Sequence, residues 1–303
     1  MIVRPRPHPL QLLFIIRGSI ILDIAPKVLV ILALACAVVW LSRSYPTILL
    51  ATGAVPFSII GLALSVFLGF RNNACYDRWW EARKHWGDLI VQARALARES
   101  EALLPDPATR TRVVHGVIGF AHALAASLRG QDSLAVTGKW LPTEVHSRLQ
   151  SAPNVPDVIV CALNQELAHC LRHGQLTDVL YQGLSQRLLA LTEIQAACER
   201  IRNTPVPFAY SLLLHRTAWL FCLLLPFGLV AALGEMTPLV VTLIAYTFFG
   251  LDSLGDELEE PFGVLENSLP LNALVRIIEI DLLSGLGETD LPAPLTPDNF
   301  VLL

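Results

Sequence analysis

Residues 55–90 change from uninterrupted apolar sequence to aromatic and charged sequence, and this change constrains the whole chain. No charged side chain occurs between positions 57 and 70, whereas Arg71 and Asn72 end the apolar run and charged residues and tryptophans follow. Pro56 suits the first turn of a helix, where its missing N–H costs little. The stretch therefore predicts a membrane helix over 55–70, followed by a long helix over 76–104 that leaves the membrane.

Two stripes run along the apolar half of this stretch. Small side chains recur every four residues, a pattern that lets membrane helices approach closely. Large apolar side chains recur at the same interval, rotated by about 100° around the helix. The helix is either an ordinary one with a packing face and a lipid face, or one whose large stripe faces an axis shared by several copies. The small stripe is Gly61, Ser65 and Gly69, and the large stripe is Leu62, Val66 and Phe70.

The composition indicates a membrane protein independently of these stripes. The chain has 303 residues, of which 53% are hydrophobic and 16% are charged, whereas soluble domains carry about 25% charged residues. The net charge of −4 argues against nucleic acid as a partner. None of the six cysteines forms a C-x-x-C pair, so we expect reduced, apolar cysteines without a disulfide framework.

Three segments resemble the bestrophin family in its bacterial branch. They are PFSIIGLALSVFLGFRNNACYDRWWEARKHWG at 56–87, CERIRNTPVPFAY at 198–210 and GDELEEPFG at 255–263, and the likeness runs from residue 2 to 287. Bestrophins are ion channels built as rings of five identical subunits around a central pore. The resemblance implies a homopentamer in which Leu62, Val66 and Phe70 match the apolar neck of the pore.

The predicted fold is an all-α membrane protein with four transmembrane helices and a cytosolic helical bundle in each subunit. The spans are expected at 26–42, 55–70, 211–233 and 238–251. Lysine and arginine cluster on one side of these spans, which predicts a multi-pass protein of the inner (plasma) membrane with both termini in the cytoplasm. The predicted parts are an amphipathic arm (1–25), hairpin 1 (26–75), a cytosolic helical region (76–210), hairpin 2 (211–252) and a C-terminal helix and tail (253–303).

Several smaller features accompany this plan. Residues 10–24 form either an amphipathic surface helix or an irregular arm packed on a neighbouring subunit. Residues 44–54 are expected to be a short turn, residues 130–154 a loop that encloses Trp140, and Asp157 and Thr177 helix caps. Leu180 is expected either at a second, cytosolic constriction or in ordinary core packing.

Aromatic and charged residues follow the apolar half of the first stretch. Trp79 and Trp80 are suited to anchor at the headgroup level. Arg78 and Arg83 are expected to bind lipid phosphate or to form ion pairs, and Glu199 is the simplest distant partner for them. These are positioning roles rather than catalytic ones.

Among function classes, a passive ion channel explains the chain best. The chain contains no G-x-S-x-G, H-E-x-x-H or P-loop motif, so we do not expect an enzyme. The spans lack a central Asp, Glu or Lys of the kind that a secondary transporter favours. A transporter and a scaffold without transport remain as alternatives.

The permeant ion is less constrained. The neck stripe is neutral, whereas an acidic run at 256–260 favours cations if it faces the permeation path and is otherwise a solvated turn. The main expectation is conduction of monovalent cations such as sodium, and the alternative is an anion (chloride) channel of the same architecture. The resemblance places the calcium-binding acidic stretch of animal bestrophins directly after the P-F-G at 261–263. Here residues 264–268 contain one carboxylate, that of Glu266, whereas calcium prefers several. We therefore expect no calcium site, no other metal and no cofactor; the expected partners are other copies of the chain, the lipid bilayer and monovalent ions.

Overall fold

The structure is a computed structural model that describes residues 1–5, 8–12, 15, 18–45, 53 and 55–303. Among these residues, the β-structure is limited to isolated bridges at Ile2, Asp298 and Val301. The helices are α1 (Pro9–Leu12), α2 (Ile21–Ser44), α3 (Val55–Leu103), α4 (Pro107–Leu128), α5 (Ser133–Thr137), α6 (Thr143–Leu149), α7 (Val155–Arg172), α8 (Asp178–Asn203), α9 (Phe208–Leu233), α10 (Thr237–Glu259) and α11 (Leu271–Gly285).

The chain divides into two compact units. The apolar unit comprises Arg4–Trp79 and Pro205–Glu260, and the hydrophilic unit comprises Met1–Val3, Trp80–Thr204 and Pro261–Leu303. Each unit has its own set of buried helix faces. Among the described residues, three stretches are long and apolar enough to cross a membrane: Ile21–Ser44, Val55–Leu103 and Phe208–Glu259. Because the last stretch holds α9 and α10 with a 3₁₀ turn between them, four apolar helices correspond to the four predicted spans.

The core of the apolar unit lies where α2, α3, α9 and α10 meet. Ile31 and Ala35 of α2 are fully buried in it, as is Phe249 of α10. Gly228 of α9 lies against the ring of Phe57, so closely that a Cβ at this position would overlap the ring. Glycine therefore permits this close approach of α9 to the first turns of α3.

Three helices of the apolar unit extend beyond the predicted segments. The helix that contains the first predicted span begins at Ile21, because Pro26 is accommodated early in the helix, where it removes a single backbone hydrogen bond. The second predicted span and the predicted exit helix are parts of one continuous helix, α3. No proline follows Pro56 within this helix, and its glycines are tolerated in mid-helix. The fourth helix continues to Glu259, so the acidic run lies on a helix rather than in an exit turn.

Part of the N-terminal prediction lies outside the described residues. The described part of 10–24 contains the end of α1 and the start of α2, so a single amphipathic helix over 10–24 is wrong. Positions 13–14 and 16–17 are not among the described residues, and neither is most of the predicted turn at 44–54.

The hydrophilic unit is built around α4, whose side chains are mostly buried. Helices α7 and α11 pack against it, and at Gly116 an added Cβ would lie 2.5 Å from Leu163 of α7. The predicted loop at 130–154 instead contains α5 and α6, although Trp140 is buried as expected. Asn154 rather than Asp157 caps α7, because its side chain is placed to accept from the Asp157 N–H, whereas Thr177 caps α8 as predicted.

The two termini of the chain meet within the hydrophilic unit. The Met1 ammonium group donates to the Leu302 carbonyl at 2.6 Å, and the Leu302 N–H donates to the Met1 carbonyl at 2.9 Å. Ile2 and Val301 form an antiparallel bridge. The last residues of the predicted loose tail are thus joined to the first residues of the same chain.

Candidate functional site

The candidate neck stripe lies on the open face of α3. Leu62, Val66 and Phe70 are 69%, 45% and 61% exposed, whereas Leu64 and Leu68 are buried in the core of the apolar unit. At 100° per residue the centre of the open stripe lies about 180° from the buried pair. Helix α3 therefore packs on its own subunit with one face and presents the neck stripe on the opposite face.

The small-residue stripe flanks this open face. A Cβ at Gly61 would lie 3.1 Å from Phe221 Cζ, while a Cβ at Gly69 would have no atom of the described chain within 4 Å. The Ser65 hydroxyl donates to the Leu62 carbonyl at 2.8 Å and is otherwise exposed. Only the start of the stripe therefore packs within the subunit, and packing between copies stays a prediction for Ser65 and Gly69.

A buried arginine stands at the end of the apolar half of α3. Arg71 is 1% exposed and donates from Nη1 to Oδ1 of Asp252 at 3.0 Å and to the Asp252 carbonyl at 3.2 Å. Its Nη2 is bonded to Asp256 and lies 3.5 Å from Glu259 Oε2. His215 Nδ1 lies 2.7 Å from the second carboxylate oxygen of Asp252. One arginine thus gathers three carboxylates from successive turns of α10.

A glycine makes room for this arginine. A Cβ at Gly255 would lie 2.7 Å from Asn72 Oδ1 and 3.1 Å from Arg71 Nη1. The guanidinium group therefore lies directly on the backbone of α10. This network was not predicted from the sequence, although the spacing of the acids at 252, 256 and 259 places them on one helix face.

The interfacial residues are distributed around the same end of α10. Arg78 Nε donates to the Glu259 carbonyl at 2.7 Å, and the Glu259 carboxylate accepts from the Val206 N–H at 3.1 Å. Trp79 stacks on Tyr76 with ring centroids 6.4 Å apart, and Trp80 is 48% exposed. Arg78 thus binds a helix C-terminus, where a cation is favoured.

These contacts bear on the acidic run that favoured cations. Asp256 and Glu259, two of its members, are held by Arg71, and Glu259 also accepts from the backbone. The run is neither a solvated turn nor a set of free carboxylates. The acidic run at 256–260 is therefore weaker support for a cation channel.

The predicted ion pair of Glu199 is not formed. Glu199 accepts instead from Asn154 Nδ2 at 3.1 Å and from Gln195 Nε2 at 2.8 Å. The next residue, Arg200, forms the ion pair with α3, at 2.7 Å from Glu81 Oε1. This hydrogen bond lowers the pKa of Glu81 below its usual value. The prediction missed by one residue, which on a helix is a rotation of about 100°.

Two further predicted residues, Arg83 and Leu180, are half-buried in the hydrophilic unit. Arg83 lies on α3, and Leu180 lies in the first turn of α8, where its N–H donates to Thr177 Oγ1 at 3.4 Å. Neither a constriction nor full core packing follows for Leu180. In the described part of the chain, no group of three or more His, Cys, Asp or Glu side chains is arranged to hold a metal ion. The absence of a calcium site stays a prediction.

Comparisons with known proteins point to the same family over most of the chain. A family model described as "Bacterial/Fungal Bestrophin protein" matches residues 1–284. The "Voltage-dependent anion channel-forming protein YneE" of Salmonella typhimurium is 44% identical over 98% of each chain. The "Voltage-dependent anion channel-forming protein mll4386" of Mesorhizobium japonicum is 43% identical over 99% of this chain and 96% of that one. A crystal structure of a bacterial bestrophin homologue from Klebsiella pneumoniae matches with 37% identity and a TM-score of 0.85, covering 88% of this chain and 99% of that chain.

Proposed function

Because the chain belongs to the bacterial and fungal bestrophins, a family of membrane ion channels rather than enzymes, we propose that it conducts monovalent ions passively through an apolar neck formed by Leu62, Val66 and Phe70 of several copies. The observation that carries the proposal is the open face of α3. These three side chains are exposed, while the opposite face of the helix is buried within the subunit.

A pore of this kind requires an oligomer. Four apolar helices per subunit pack around their own core in the described part of the chain, which supports a permeation path between copies. Cyclic symmetry closes a ring of identical subunits. A homopentamer follows from the family resemblance. The exposed stripe then forms stacked apolar rings that restrict wetting and require ions to pass partly dehydrated.

Anions such as chloride are the preferred permeant ions in this proposal. The relatives from Salmonella typhimurium and Mesorhizobium japonicum are named as anion channel-forming proteins. The engagement of Asp256 and Glu259 by Arg71 supports the same choice, because carboxylates held in an ion-pair network attract permeant cations less. Cation conduction, the main expectation of the sequence analysis, is the alternative outcome of the test below.

The experiment is a reversal potential measured on purified protein in a planar bilayer under a sodium chloride gradient. The sign of the potential gives the preferred ion, and the proposal expects the sign for chloride. A reversal potential with the sign expected for sodium would establish the cation alternative. An absence of protein-dependent current would contradict a channel. Asp256→Asn is the matched control: we expect it to leave the reversal potential unchanged, whereas a role of the acidic run in selectivity would shift it toward anions.

The membrane orientation is part of the same proposal. Apart from Arg43, which pairs with Glu235 in the α9–α10 turn, basic residues cluster before and at the start of α2, after the apolar half of α3 and near the start of α9. The positive-inside rule then gives both termini in the cytoplasm of an inner-membrane protein. Labelling with a membrane-impermeant thiol reagent tests this. In a variant that lacks the six native cysteines, Met236→Cys is expected to react from outside intact spheroplasts, and Asp290→Cys only after lysis.

A further inference from the structure

The hydrophilic unit contains a cavity of about 380 Å³ between three helices. Its walls come from the second half of α3, the first two turns of α4 and the end of α11. The volume falls in the range of small-molecule sites, about 300–1,000 Å³. The neck, the ion-pair network of Arg71 and the other residues discussed above are not among its lining residues.

Arginines dominate the charge of this cavity. Arg94 is already engaged, because its Nε lies 2.8 Å and its Nη2 2.5 Å from Asp281 Oδ2. Arg98 is exposed and forms no ion pair with another described residue. The lining also includes the carboxylate of Glu101, so it carries three arginines and two acids in all.

Arg110 is the most unusual of the three. The only hydrogen bond of its side chain among the described residues is a long one, 3.4 Å from Nη2 to the Pro105 carbonyl. Its Nε is shielded from solvent and has no hydrogen-bond partner in the described structure. The Nη1 group has no hydrogen bond to another described residue and is not shielded in this way, so it is the donor that an anion in the cavity would bind.

The rest of the lining suits an apolar body. Val114 and Leu282 are buried at the floor, and Leu286 is half-buried beside them. The N-terminal N–H groups of α4 contribute less to the site, because the Asp106 side chain already accepts from Ala108 and Thr109. Recognition would therefore rest on guanidinium groups at one end and on aliphatic side chains at the other.

We propose that this cavity binds a small organic anion, with a carboxylate or phosphate head between Arg98 and Arg110 and an apolar body against Val114 and Leu282. Planar guanidinium groups match both head groups, because each offers two oxygens to paired N–H donors. An anion is preferred to a neutral ligand because the free arginines outnumber the single free acid. The apolar body excludes a bare inorganic ion as the best ligand.

Isothermal titration calorimetry on the detergent-solubilised full-length protein at low salt tests the proposal. The probes are benzoate, phenyl phosphate, benzamide, benzamidinium and inorganic phosphate. Benzoate and benzamide share one shape and differ in charge, while phenyl phosphate and inorganic phosphate differ in the apolar body. We expect benzoate or phenyl phosphate to bind, and benzamide and benzamidinium to bind at least about tenfold more weakly, since hydrogen bonds to charged groups contribute about 1.5–3 kcal/mol.

Three variants assign the binding to this cavity. Arg98→Gln and Arg110→Gln each remove one guanidinium group and are expected to weaken benzoate or phenyl phosphate about tenfold. Gly285→Leu retains every charge and adds an apolar side chain at a lining position, where an added Cβ meets no atom within 4 Å, and it is expected to obstruct the cavity. The matched control is Arg172→Gln, an exposed arginine on α7 that does not line the cavity.

Each outcome supports or overturns the proposal. Tighter binding of an organic anion that is lost in Gly285→Leu and kept in Arg172→Gln supports it. Equal binding of benzamide, or equal binding of inorganic phosphate and phenyl phosphate, overturns it. Binding that persists in all three cavity variants, or no binding of either organic anion, also overturns it. The assay measures no ion flux, so its result is independent of channel activity.

Discussion

Arg71 and Asp252 are both 1% exposed, and Arg71 Nη1 bonds the carboxylate of Asp252 at 3.0 Å and its backbone carbonyl at 3.2 Å. One residue ends the apolar half of α3 and the other lies in the acidic part of α10. This buried pair therefore joins the helix that carries the neck stripe to the last helix of the apolar unit. His215 of α9 is linked to the pair through the second oxygen of Asp252.

Removing one member of the buried pair is expected to destabilise the protein strongly. Asp252→Asn leaves the Arg71 charge without its fully buried partner, a change that typically costs about 3–5 kcal/mol. Asp256→Asn alters a carboxylate that is 61% exposed and is expected to cost less than about 1 kcal/mol. The midpoint of thermal unfolding in detergent, measured for both variants, compares the two. Equal midpoints would mean that Asp252 does not hold Arg71 as described.

Gly69 offers a test of assembly that is separate from folding. Gly69→Leu places its side chain where no atom of the described chain lies within 4 Å of the Cβ, so the subunit itself has room for it. If the small stripe packs between copies, the variant is expected to lose the oligomer while its helix content is unchanged. Light scattering and circular dichroism measure the two properties.

A glycine elsewhere in the apolar unit gives the contrast. Gly228→Leu is expected to disturb the subunit itself, because the ring of Phe57 occupies the space. A Gly69→Leu protein with wild-type oligomer mass would remove the small stripe from any interface between copies.

His122 gives the hydrophilic unit a dependence on pH. It stacks on Trp140 with ring centroids 5.8 Å apart, and its Nε2 lies 3.6 Å from Glu279 Oε2. Burial is the largest effect and lowers the pKa of His122; Glu279 raises it, while Lys139 and Arg276 lower it. The unfolded chain therefore binds more protons at this position than the folded chain, and stability falls as the pH drops through the ordinary histidine value of about 6.5.

Replacing this histidine is expected to reduce the pH dependence. His122→Gln should lose less stability than the wild type between about pH 7.5 and 5.5, because it removes the group whose protonation opposes folding. Thermal midpoints at the two pH values measure the difference. His173→Gln, an exposed histidine on the surface beyond α7, is the control and is expected to behave as the wild type. An unchanged pH dependence in His122→Gln would exclude this group as its source.

Much of the fold follows from local sequence patterns. Apolar runs near the length of about 17–25 residues that a spanning helix needs indicate the spans, and Thr177 caps α8 where the sequence places it. The helical period alone places Leu62, Val66 and Phe70 on one face, and the structure leaves that face exposed. Their assignment to a pore neck rests on the family resemblance and stays a prediction. Boundaries were less predictable, because Pro26 lies inside α2 and polar Asn72 lies inside α3, where tertiary packing outweighs local preference.

The charged contacts could not be predicted in the same way. Arg71 and Asp252 are 181 positions apart, and nothing local to either indicates the other. For Glu199 the expected region was close, but the pairing residue is Arg200, whose side chain leaves α8 in another direction. The cavity of Arg98 and Arg110 likewise combines three helices distant in sequence. Such contacts depend on the packing of whole elements rather than on spacing along one of them.

The most direct test of the channel account is the single-channel current of the triple variant Leu62→Ala, Val66→Ala, Phe70→Ala in a planar bilayer. The three residues cover about 12 Å of helix, and their exposure means that truncation costs less than the about 2–5 kcal/mol of a core leucine. The variant is therefore expected to assemble, and its wider, less apolar neck should conduct more, with a higher open fraction. An assembled variant with wild-type current and open probability would contradict the account, because these side chains would then not line the pore.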